Sequence, residues 1–169
     1  MISFIKGLGI VTGGLVGELN TRGFGEIKDG KLLLSPEEVL YLMEKRKRIN
    51  VEDEKGKELG FKEILSAASR SDKMFPIKYL VYKDLRDRGY IVKTGFKFGA
   101  HYRVYPRGVK PGEGHAAWLI HVIKENKKIE FPEISRSVRL ANNVRKKMIF
   151  AVVDKEGDIT YYLIDRFTP

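Results

Sequence analysis

Residues 75–105 read FPIKYLVYKDLRDRGYIVKTGFKFGAHYRVY, and a change of period inside this stretch decides the fold. Up to Gly89, Ile77, Leu80, Val81 and Leu85 recur at helical spacing, with Pro76 opening a helix and Gly89 ending it. Beyond Gly89, YIVKTG and FKFGAHYRVY are rich in β-branched and aromatic residues and broken by glycine, which predicts strands. In the second strand Phe96, Phe98, Tyr102 and Val104 share one parity, and His101, Arg103 and Tyr105 share the other. Tyr105 is therefore expected beside Arg103 and turned away from Tyr102.

The pattern continues downstream. YPRGVKPGEGH (105–115) is a basic loop between Tyr105 at a strand end and His115 at the start of the next strand, AAWLIHVIK. ISRSVRLANNVRKKM then predicts a helix capped by Ser135, with Val138, Ala141, Val144 and Met148 on its buried side. Arg139, Asn142, Asn143 and Lys146 fall on one face of that helix. IFAVVD and DITYYLID make a hairpin around DKEGD. Helix, three strands, helix and two strands in this order predict a compact α/β domain with a mixed sheet.

Upstream, KLLLSPEEVLYLMEKRKRIN carries a strand from Lys31 to Leu34 followed by a helix start: Ser35 as cap, Pro36 in the first turn and Glu38 closing a capping box. Val39, Leu42 and Met43 form its apolar stripe. The cations Lys45 to Arg48 suit a helix end, and two readings of them stay open: a solvated terminus or a phosphate contact. VEDEKGKELG reads as a surface turn, Phe61 to Ala68 as a second short helix, and Ser69 to Met74 as a linker. The expected organisation is α/β (α+β): a small mixed domain over 1–72, then a domain over 73–169 whose mixed β-sheet is flanked by helices.

Composition narrows the chemistry. The 169 residues are 43% hydrophobic and 11% aromatic, as in a globular protein. Lys and Arg number 32 against 22 acids, a formal charge of +10 that favours a polyanionic partner. Without cysteine there is no disulfide, thiolate metal site or cysteine nucleophile. The opening MISFIKGLGIVTGGLVG is interrupted by Gly7, Gly9, Gly13 and Gly14, and is expected to be a Gly-rich strand region of an intracellular, cytoplasmic protein with no membrane partner.

Acids are scarce where cations gather. From Ile91 to Lys124 there are six Lys/Arg and one acid, Glu113; from Ser135 to Val153 there are five cations and no acid. Two-metal nucleases need convergent carboxylates, of which this basic half offers almost none. Glu125-Asn126-Lys127 resembles the acid-x-lysine corner of carboxylate-dependent nucleases, but no Asp between Arg88 and Glu125 supplies a second ligand. Cleavage of a polynucleotide without metal would draw its nucleophile from the substrate, as the 2′-hydroxyl of RNA allows. Such cleavage needs a base, an acid and a cation for the charge developing on phosphorus.

Tyr105, His115 and Lys146 could fill those roles. Histidine titrates near neutrality and suits the acid. A free tyrosine, with a pKa of about 10, needs cations such as Arg103, Arg107 or Lys146 nearby to serve as the base. Residue by residue, other readings stay open: a strand-end aromatic for Tyr105, a surface histidine for His115, and one of three consecutive cations for Lys146.

HYRVYPRGV, GHAAWLIHVI and SRSVRLANNVRKKMIFAVVD resemble the catalytic domain of the archaeal tRNA-splicing endonucleases, and TRGFGE with LLLSPEEVLYLMEK resembles the N-terminal domain of that family. The resemblance covers nearly the whole chain. It implies Tyr105 as general base, His115 as general acid and Lys146 as the stabilising cation. It further implies that precursor tRNA is cut at a bulge-helix-bulge motif without metal or cofactor, leaving a 2′,3′-cyclic phosphate and a 5′-hydroxyl. Arg139 and Arg166 would clamp a flipped bulge base, and Arg103 and Arg107 join them as RNA-binding candidates. Two scissile bonds call for two active sites, so a homotetramer, or a heterotetramer with a structural subunit, is expected. DKEGD resembles the acidic loop by which the family contacts a neighbouring subunit through Asp154, Glu156 and Asp158; an ordinary polar turn is the other reading. The alternative function is a non-catalytic RNA-binding or structural subunit of such an assembly.

Overall fold

A computed structural model describes every residue, Met1–Pro169. The chain divides into two compact units, Met1–Pro76 and Ile77–Pro169. No helix is long and apolar enough to cross a membrane.

The first unit holds β1 (Ile2–Ile5), β2 (Leu8–Val11), α1 (Leu15–Thr21), β3 (Glu26–Lys28), β4 (Lys31–Leu34), α2 (Pro36–Lys45), β5 (Val51–Glu52) and α3 (Phe61–Ser71). Its sheet runs β3-β4-β2-β1-β5, antiparallel except where β1 meets β5. The glycine-rich opening is a hairpin. Lys6 and Gly7 both take positive φ between β1 and β2, as a tight two-residue turn requires. Gly9 lets α2 close on the sheet, because a Cβ there would come within 2.5 Å of the Val39 Cγ2. The capping box forms as the sequence predicts: Glu38 N–H donates to Ser35 Oγ (3.3 Å) and Ser35 N–H to Glu38 Oε2 (2.9 Å). The Glu38 carboxylate is buried, and its other oxygen accepts from Gly25 N–H at 2.9 Å. The second helix reaches Ser71, beyond the expected Ala68, so only a short turn separates it from the next helix.

The second unit holds all but the first two residues of α4 (Phe75–Asp87), then β6 (Ile91–Thr94), β7 (Tyr102–Tyr105), β8 (Trp118–Lys124), α5 (Phe131–Asn143), β9 (Lys147–Val153) and β10 (Ile159–Ile164). Its sheet runs β10-β9-β8-β7-β6, and only β8 and β9 are parallel. That parallel pair needs a crossover, and α5 is the crossover. Leu119, Ile123, Ala141, Met148 and Phe150 pack between α5 and the sheet. Fully burying one such Leu or Met side chain stabilises the fold by roughly 1.5–3 kcal/mol.

Four local expectations are corrected. In α4 the buried residues are Phe75, Tyr79, Val81, Tyr82 and Leu85, while Leu80 is exposed. Its methyl lies where a Cβ on Gly157 would meet it at 3.5 Å, so it is oriented toward the β9–β10 loop. Phe96–Phe98 is a 3-10 turn rather than strand, ended by Gly99 at φ +71. α5 starts a turn before Ser135, with Glu130 as cap and Pro132 in the first turn, because proline fixes the φ a helix start needs. Finally, α5 ends at Asn143. Val144 caps it and Arg145 takes φ 58, so Lys146 leaves the helix and enters the turn before β9.

Candidate active site

The site is built where β7, β8 and β9 lie side by side. Arg103 and Tyr105 are two apart on β7 and project to the same face, as the strand period dictates. The guanidinium Nε of Arg103 donates to the Tyr105 hydroxyl oxygen at 3.3 Å. Its Nη1 donates to the carbonyl of Thr94, at the end of β6, at 2.6 Å. The sequence placed Tyr105 beside Arg103, and the structure does too. Tyr105 is nonetheless buried along with Tyr102 and Val104, because both faces of β7 are covered.

His115 lies in the loop before β8, which begins at Trp118, rather than on the strand itself. Its side chain is exposed. The backbone next to it is held: Ala117 N–H donates to the Val104 carbonyl at 2.9 Å, and the Ala116 carbonyl accepts from Lys146 Nζ at 2.9 Å. The histidine is thus free at its ring and fixed at its stem.

Lys146 joins these parts from the other side. Its backbone N–H closes onto the Ala141 carbonyl at 2.9 Å, which the left-handed Arg145 permits. The residue is 9% exposed, and its ammonium sits 5.2 Å from the ring centre of Phe98. Burial, and secondly the nearby Arg103 charge, hold its pKa below the ordinary lysine value, and no carboxylate is among the groups acting on it. A buried cation with a second cation nearby and no acid partner is costly to keep. Such an arrangement is a functional-site candidate, since an anionic ligand would offset the cost. Sequence reading missed Phe98 and the Ala116 carbonyl as its supports, because it assigned Phe98 to a strand and a backbone acceptor leaves no trace in side-chain pattern.

The arginines are dispersed. Arg107 stacks over Tyr90, with its guanidinium carbon 4.8 Å from the ring centre, and Tyr90 meets Trp118 edge-on. Arg139 is exposed on α5 and lines a recess of about 400 Å³ with Gly99, His121, Arg136 and Asn143. Arg166 is exposed beyond β10, where Asp165 accepts its backbone N–H at 2.9 Å and pairs with Lys147. Lys147 and the Arg166 amide hold the Asp165 carboxyl below its usual range, with Asn142 adding a further hydrogen bond.

His121 is a site-side residue the sequence reading passed over. Its ring packs edge-on against His101 and near Phe150, and Val122 N–H donates to His101 Nδ1 at 2.9 Å. No three His, Asp or Glu side chains converge as metal ligands. The acidic loop stands apart: Asp154 turns it by accepting the amides of Glu156 and Asp158 through Oδ1, and it follows the end of β9 remote from Lys146. The seven residues of β9 separate the two by about 25 Å.

Known proteins resemble the chain along most of its length. Residues 75–161 match the family model described as tRNA intron endonuclease, catalytic C-terminal domain, and residues 16–65 match its N-terminal domain. A tRNA-splicing endonuclease of Thermococcus onnurineus is 52% identical over 146 residues, covering 86% of this chain and 82% of that protein. One from Thermococcus kodakarensis is 49% identical over 149 residues (88% and 86%), and one from Methanothermobacter thermautotrophicus is 45% identical over 146 (86% and 84%).

Proposed function

Because this chain belongs to the tRNA intron endonuclease family and is an endonuclease of tRNA splicing, we propose that it cuts precursor tRNA at bulge-helix-bulge motifs by using the RNA's own 2′-hydroxyl. Tyr105, as phenolate, accepts the 2′-OH proton. The 2′-oxygen bonds to phosphorus, the bond from phosphorus to the 5′-oxygen breaks, and His115 donates a proton to that leaving oxygen. Lys146 stabilises the charge on the phosphorane. The products are a 2′,3′-cyclic phosphate and a 5′-hydroxyl, a lyase outcome that consumes no water and calls for no metal.

The observation that carries this reading is Lys146: a buried ammonium with no carboxylate acting on it, hydrogen-bonded to the residue beside His115 and close to the cation that grips Tyr105. Neither a structural ion pair nor a solvated cation accounts for that placement. Arg139 and Arg166, exposed and outside the core, act as base-stacking clamps, with Arg107 as a further RNA contact.

Assembly follows from the substrate. Two boundaries need two sites, so the chain works in a homotetramer or with a structural subunit. The exposed Tyr162, Leu163 and Phe167 at and beyond β10 supply apolar surface for contact, and Asp154, Glu156 and Asp158 supply an acidic contact. We place the domain boundary at the turn between α3 and α4, near 72–73, and the site of action in the cytoplasm.

The test is to incubate the protein with a bulge-helix-bulge RNA in excess EDTA and analyse the ends. Cyclic phosphate ends support the reading; tight binding without cleavage indicates a non-catalytic subunit, and cleavage only with added magnesium indicates a metal nuclease. A 2′-deoxy substitution at the scissile nucleotide should abolish cutting, and continued cutting there would sink the mechanism.

A further inference from the structure

Resting on the proposed role of Tyr105, we infer that Arg103 is a positioning residue of this active site, one that fixes the tyrosine for proton abstraction, and not an RNA-phosphate contact. The distinction lies in how its donors are committed. Nε points at the Tyr105 hydroxyl oxygen at 3.3 Å, and Nη1 is anchored to the Thr94 carbonyl at 2.6 Å. The planar fork of a guanidinium holds those two directions rigidly, so the phenol oxygen is located relative to the end of β6 as well as to its own strand. Arg103 is partly buried, whereas Arg139 and Arg166, the clamp candidates, are exposed.

The hydrogen bond has a direction that matters. Arginine only donates, so the tyrosine oxygen is the acceptor, and its own proton is turned away from Arg103. A charged donor of fixed direction at that oxygen sets where the phenol meets a 2′-hydroxyl. Arg103 also acts on Lys146, so a single side chain touches the base and is felt by the cation. A lysine at 103 would keep the charge and lose the fork: a flexible ammonium cannot hold the Thr94 carbonyl and the phenol at two set angles.

The experiment compares Arg103→Lys, Arg103→Gln, Tyr105→Phe and the double variant Arg103→Gln/Tyr105→Phe on a bulge-helix-bulge RNA. Single-turnover rates at saturating enzyme, RNA affinity against salt, and thermal midpoints are measured. A positioning role predicts a 10- to 100-fold loss of rate in both Arg103 variants, with RNA affinity and its salt slope unchanged. It further predicts that the double variant is no slower than Tyr105→Phe alone, since residues acting as one unit are non-additive. Weakened binding with a salt slope lower by about one would reassign Arg103 to a phosphate contact and overturn the inference. So would additive losses in the double variant, or rate losses that vanish well below the variants' melting midpoints. If Tyr105→Phe alone cuts at the normal rate, the proposed function fails instead, and Arg103 is left with nothing to position.

Discussion

Lys146 Nζ and the Ala116 carbonyl oxygen, 30 residues apart, meet at 2.9 Å in the buried interior. That bond ties the turn after α5 to the backbone beside His115, so the lysine is both a fastener of the site and its candidate cation. Lys146→Ala should therefore show two separable effects. The cleavage rate should fall by about 10²–10³, the order expected when one charge-stabilising donor is removed. Stability should change little or fall modestly, because losing a hydrogen bond is offset by relieving a buried charge. Single-turnover kinetics and thermal melting on the same preparation separate the two; an unchanged rate would remove Lys146 from the mechanism.

His115→Ala should cut about 10²–10⁴ more slowly, the usual contribution of a positioned general acid. Its RNA affinity should be nearly that of the wild type, since one exposed ring adds little to a chain carrying +10. Filter binding and end analysis on the same RNA decide it, and a large loss of affinity counts against the acid role.

Asp84 on α4 is gripped from two sides. Tyr161 of β10 donates to its Oδ2 at 2.6 Å, and Arg88 Nε donates to the same atom at 3.0 Å. Burial and the neighbouring Asp84 push the Tyr161 pKa well above its ordinary value of 10.0. Tyr161→Phe removes a hydrogen bond to a charged group and should cost about 1.5–3 kcal/mol. The thermal midpoint should drop on the order of 5 °C, while cleavage well below the midpoint stays normal.

Burial of the His121 ring, with Lys127 as a second cause and Glu133 opposing, holds its pKa below 6.5. The unfolded chain therefore takes up this proton first as pH falls. Its contribution to folded stability is present in full above about pH 6.5 and is lost progressively as pH drops below that value. Melting curves between pH 7.5 and pH 5 should show a steeper acid loss for the wild type than for His121→Phe, whose ring still packs between His101 and Phe150. Equal slopes would show that His121 does not titrate differently on folding.

Patterns within single elements settled much of this protein. The capping box at Ser35 and Glu38, the break at Gly89 and the alternation that puts Arg103 beside Tyr105 are local rules, set by backbone sterics and by a two-residue or 3.6-residue period. The two acid-poor stretches, 91–124 and 135–153, were equally plain, since charge is counted residue by residue. What local pattern could not decide was where an element stops when tertiary contacts compete. Ser135 looks like a cap, yet Glu130 and Pro132 start α5 earlier. Lys146 continues a helical face on paper, yet the chain must turn at Arg145 for β9 to lie parallel to β8, and that turn drives the lysine into the interior. The sequence by itself offered Tyr105, His115 and Lys146 as candidates for the chemistry. Only the tertiary structure joined Lys146 to Ala116 and Arg103 to Thr94, because those partners are backbone carbonyls whose positions exist only once the sheet has formed.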